Sequence, residues 1–90
     1  MAEVERIFLL SHLKRNENFV AAPVYQEQST LFCDVTITWR YGGSLHTTKK
    51  TFKWDSTNLK AKVLPSGVHV PSRVIDAIRP HIEKLFNDFV

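Results

Sequence analysis

Residues 31 to 54, LFCDVTITWRYGGSLHTTKKTFKW, decide the fold of this chain. Leu31, Cys33, Val35, Ile37, Trp39 and Tyr41 alternate with Asp34, Thr36, Thr38 and Arg40, the period of a strand with one apolar face. The second half repeats the period, with His46, Thr48, Lys50, Phe52 and Trp54 on one face and Thr47, Lys49, Thr51 and Lys53 on the other. Gly42-Gly43 supplies the positive-φ turn of a tight hairpin. A two-residue loop sets Trp39 against His46 and Cys33 against Phe52, whereas a four-residue loop sets Val35 against Phe52. Both even-length loops join the apolar faces. An odd loop would bring Lys49 and Lys53 against Val35 and Ile37, which a buried face excludes.

Working outward, Ser56-Thr57-Asn58 reads as a turn, and LKAKVL, residues 59–64, as a short extended piece broken by Pro65-Ser66-Gly67. Upstream, FVAAPVYQ, residues 19–26, is a short strand whose Pro23 cannot donate to a ladder, which places it at an edge. Residues 3–15, EVERIFLLSHLKR, have acids first and bases last, the order that complements a helix dipole. Their apolar positions spread over more than half the helix circumference, so either the helix is packed on two sides or IFLLSHL, residues 7–13, is a strand. Pro71-Ser72 start a second helix, with Ser72 as N-cap. Its Val74, Ile75, Ile78, Ile82, Leu85, Phe86 and Phe89 fall in an arc of roughly 120°. Pro80 lies off that stripe and implies a kink or two coaxial pieces. The expected fold is therefore α+β in two layers: an N-terminal helix, a three-stranded antiparallel meander with a short fourth strand as the alternative, and a C-terminal helix kinked near Pro80. Ninety residues without repeat or linker make a single small globular domain, 1–90.

In element order alone this layout is similar to the α-β-β-β-α arrangement of double-stranded-RNA-binding domains. The likeness stops at topology. Pro71, Ser72 and Arg73 supply a single charge where those domains carry a lysine cluster, and their glycine-histidine loop signature is absent.

Charge is concentrated on the hairpin. Residues 39–62 hold Arg40, Lys49, Lys50, Lys53, Lys60 and Lys62 against Asp55 alone, while the whole chain carries only +3. Arg40, Lys49 and Lys53, with Thr51 between them and Lys60 and Lys62 nearby, form a ladder suited to phosphates. Alternating Thr and Lys are also ordinary choices for a solvated sheet face. Trp39, Phe52 and Trp54 share the Val35 and Ile37 face and belong to the core, so base stacking by them is not expected. Tyr41 and His46 flank the tip as further contact candidates.

No chemistry beyond binding is legible. His12, His46, His69 and His81 show no metal-ligand spacing, the single Cys33 excludes a disulfide framework, and the glycines build no phosphate loop. No cofactor is expected, and the chain is read as non-enzymatic. The longest apolar run, Ile7 to Leu10, is too short to span a bilayer, and Glu3 and Glu5 stand where a signal peptide would be basic, so a cytoplasmic setting is expected. The leading expectation is a small protein that contacts nucleic acid through the basic hairpin face. The alternative is an inhibitor or adaptor that binds an acidic or apolar surface of a larger protein complex. The apolar excess of residues 3–15 is covered either by the domain's own core or by a second copy of the chain in a homodimer.

Overall fold

The computed structural model describes residues 16–65 and 67–89. Five antiparallel strands and one helix follow in order: β1 (Asn18–Ala21), β2 (Tyr25–Glu27), β3 (Thr30–Tyr41), β4 (Ser44–Asp55), β5 (Lys60–Val63) and α1 (Ser72–Phe89). The sheet runs β1-β3-β4-β5, with β2 also paired to β3. The helix-meander-helix layout expected from the sequence is overturned: the described residues build a five-stranded sheet and a single helix. The helix expected over residues 3–15 lies outside the described residues.

The central hairpin takes the shorter of the two allowed registers. Tyr41 opposes Ser44, Trp39 opposes His46 and Cys33 opposes Phe52. Gly42 and Gly43 have φ of 61° and 82°, the pair of left-handed residues that a two-residue loop needs to match strand twist. An added Cβ would meet no neighbour at either site, so conformation and not space selects glycine.

The strand expected over residues 19–26 is divided in two. From Ala21 to Tyr25 the chain takes four steps, while its partner takes three from Val35 to Phe32. The extra residue makes this a bulge at Ala22-Pro23-Val24, the site where a residue without an N–H is tolerated. Ala22 keeps the ladder closed by donating its N–H to the Asp34 carbonyl at 2.8 Å. The bulge also inverts facing. Phe19 and Ala21 oppose Ile37 and Val35 on the buried side, but Tyr25 opposes Phe32 on the other side.

One face of the sheet is the core. Leu31, Cys33, Val35, Ile37, Trp39, Phe52, Trp54 and Ala61 are buried against Val74, Ile75, Ile78, Ile82 and Phe86 of α1. Trp54 stacks on Phe86 with ring centroids 5.2 Å apart. Lys50 shares this face and is buried, as the alternation around it requires. The helix is one continuous element that carries Pro80 inside it and is not divided into two coaxial pieces. One expectation for it fails: the Pro71 carbonyl accepts the first helical bonds, from Val74 and Ile75, so Pro71 and not Ser72 occupies the N-cap.

Helix side chains also close the β5 edge. Glu83 Oε2 accepts the Ala61 N–H at 2.9 Å, and Arg79 Nε donates to the Ala61 carbonyl at 3.1 Å. Backbone groups that would otherwise template another chain are satisfied in this way. Among the described residues no helix is long and apolar enough to cross a membrane.

Candidate nucleic-acid interface

The face of the sheet opposite α1 is set by the same alternation that builds the core. Arg40 on β3, Lys49, Thr51 and Lys53 on β4, and Lys60 and Lys62 on β5 all lie on it, because every one is offset by an odd number of residues from a buried neighbour. Lys49 opposes Thr36, Thr51 opposes Asp34, and Lys53 stands directly between Phe32 and Lys62. Two lysines side by side on adjacent strands repel each other, the reverse of the pairing that sheet stability favours.

Acids interrupt the field at two points. Asp55 bonds Lys62 Nζ at 3.4 Å and caps its own turn, accepting the Thr57 N–H at 3.0 Å and the Asn58 amide at 2.9 Å. These bonds, led by those from Asn58, hold its carboxyl at about 2. Asp34 accepts the Thr51 hydroxyl at 2.7 Å and faces the Tyr25 hydroxyl at 3.5 Å. The Thr51 hydroxyl is therefore engaged within the sheet. Among the described residues no ion pair involves Lys49, Lys53 or Lys60, and all three are exposed.

Arg40 lies at the far end of the hairpin, as far beyond Lys49 as Lys49 lies from Lys53. Its backbone is fastened: Glu17 Oε2 accepts the Arg40 N–H at 2.8 Å, and Arg73 donates to the Arg40 carbonyl at 3.3 Å. Glu17 thereby prolongs the β1 ladder beyond Asn18 with a side chain in place of backbone. The tip residues do not join the cations. His46 stacks on Trp39 at 5.6 Å on the helix side, and Tyr41, 70% exposed, meets the His46 ring edge-on at 6.2 Å.

Two aromatics unselected from the sequence do lie on the basic face. Tyr25 and Phe32 stack with centroids 5.7 Å apart and planes 26° apart, in the same row as Lys53 and Lys62. Phe32 was readable from the alternation of β3, as the odd apolar residue among Asp34, Thr36 and Thr38. Tyr25 was not, because only the bulge turns it to this side. Its phenol is pushed above the ordinary value by burial and by the Asp34 and Glu27 carboxylates, so it adds no charge near neutrality. Beside this row opens a cleft of 680 Å³ lined by Thr30, Leu31, Lys53, Trp54, Asp55 and Lys62, among others.

The chain matches no protein-family model, no curated protein and no solved structure.

Proposed function

We propose that this protein is a non-enzymatic nucleic-acid-binding module whose contact surface is the sheet face that carries Arg40, Lys49, Lys53, Lys60 and Lys62. The observation that supports this most is the direct opposition of Lys53 and Lys62, with Lys49 two repeats of the pleat further along β4. A face serving only solubility gains nothing from adjacent lysines, whereas a phosphate backbone relieves their repulsion and releases counterions. Thr36 opposite Lys49, and Thr38 and Thr47 between Lys49 and Arg40, keep the floor of the face low, and Thr38 and Thr47 bond each other at 3.1 Å. Backbone contact of this kind is sequence-tolerant. The setting is cytoplasmic and reducing, which the free, buried Cys33 thiol suits.

Anisotropy titrations with labelled DNA and RNA duplexes and single strands at physiological salt test this reading. It expects a Kd tighter than ~10⁻⁴ M for at least one of them, the weak end of ordinary nonspecific binding. Lys49→Glu combined with Lys53→Glu abolishes that binding. Absence of binding by the wild type contradicts the reading. Val20 and Leu45, 57% and 49% exposed on the same face, favour a second reading in which the partner is a larger protein complex that offers an acidic or apolar surface. Recovery of a stoichiometric protein from nuclease-treated extract, lost with the same double substitution, is its signature.

A further inference from the structure

We infer that the nucleic acid bound by this face is an unpaired strand, with a base stacked on the Tyr25–Phe32 pair and its phosphates over Lys53 and Lys62. This rests on the polyanion reading above and narrows it.

First, the one-residue bulge around Pro23 moves Tyr25 from the buried side, where Phe19 and Ala21 point, to the outer side. Bulges commonly re-aim a side chain in this way next to functional sites. Second, the re-aimed ring is held. Phe32 packs beneath it at 5.7 Å, and its hydroxyl lies 3.5 Å from Asp34, whose carboxylate is itself fixed by Thr51. Tyr25 remains 36% exposed, so the stack keeps surface open to a further ring.

Third, the stack and the lysines share a row. Tyr25, Phe32, Lys53 and Lys62 occupy successive strands, a span of about 14 Å at ordinary strand spacing. A base over the aromatic end leaves the sugar-phosphate chain running toward the lysine end. Asp34 and Glu27 lie on the aromatic side of the row and steer phosphates away from it. Asp55 offsets part of the Lys62 charge, leaving Lys53 as the principal phosphate contact, with Lys49 further along β4. A duplex has its bases already stacked and offers none to Tyr25, whereas every unpaired base presents a π-face regardless of identity.

The experiment compares labelled (dT)12, (rU)12 and a 12-base-pair duplex against the wild type, Tyr25→Ser, Tyr25→Phe and the Lys49→Glu/Lys53→Glu double variant, with folding checked by circular dichroism. Expected are tighter binding of at least one single strand than of the duplex, and a loss of about five- to hundredfold on that strand in Tyr25→Ser. Duplex affinity stays within twofold in that variant, and Tyr25→Phe, which keeps the ring, restores single-strand binding. The deoxy and ribo arms identify which strand is taken. Duplex binding without single-strand preference overturns the inference and leaves the polyanion reading standing. So does single-strand binding that Tyr25→Ser does not weaken. If the wild type binds no nucleic acid, both fall together.

Discussion

Arg73 grips Glu17 with both arms of its guanidinium, Nη1 to Oε1 at 2.9 Å and Nη2 to Oε2 at 2.6 Å. The carboxylate is wholly buried, and the same group receives the Arg40 N–H, so one side chain ties the approach to β1, the end of β3 and the first turn of α1. The bonds it donates to Glu17 raise the Arg73 pKa above its ordinary value, so the guanidinium stays charged.

Removing the guanidinium orphans a buried charge. The usual cost of that is about 3–5 kcal/mol, lowered here because the Arg73 side chain is 40% exposed and solvent already screens it. Arg73→Ala is expected to lose about 2–3 kcal/mol in urea denaturation. Arg73→Lys recovers less than half, since an ammonium cannot replace the two-pronged contact.

Burial, with the Asp34 charge adding to it, pushes the Cys33 thiol up to about 11, and its S–H faces the Ala22 carbonyl at 3.3 Å. At pH 8 on the order of one thiol in a thousand is ionised, and that one is enclosed. The folded protein is expected to leave a disulfide reagent such as Ellman's unreacted at pH 8 and to titrate one thiol on unfolding. Rapid reaction in the native state would contradict the burial. Because the folded pKa lies above the unfolded one, the stabilisation from this group is complete below about pH 8.5 and fades as pH rises toward 11.

Asp55 has the opposite sign. Its folded pKa of about 2 is below the unfolded value, so the carboxylate stabilises the Ser56–Leu59 turn fully above about pH 4 and loses that effect as pH falls through 2. Asp55→Asn is expected to melt below the wild type at pH 7, with the gap closing between pH 4 and pH 2. A gap independent of pH would assign the turn's stability to shape and not to charge.

The hairpin was legible because its two signals agree: strict alternation from Leu31 to Trp39 and a Gly-Gly pair that accepts left-handed backbone. The basic face followed from the same alternation, since Lys49 and Lys53 are forced opposite Phe52 and Trp54. What escaped has no period. A bulge changes facing without changing composition, so Tyr25 could not be assigned a side from its neighbours. Glu17 looks like any turn acid until Arg73, 56 residues later, is folded against it. Pro80 stays within α1 because it lies on the exposed side of a helix whose buried stripe spans it, so packing outweighs the single missing bond.

If lysines on the outer sheet face contact phosphates, binding depends on salt through those lysines. For a single strand, log Kobs against log salt is expected to fall with a slope near −3, about 0.7 per phosphate neutralised, and Lys49→Ala and Lys53→Ala each reduce its magnitude by about 0.7. Lys84→Ala, on the helix and paired with Asp88, leaves the slope unchanged. A slope that ignores Lys49 and Lys53, or that responds to Lys84 instead, would contradict the account.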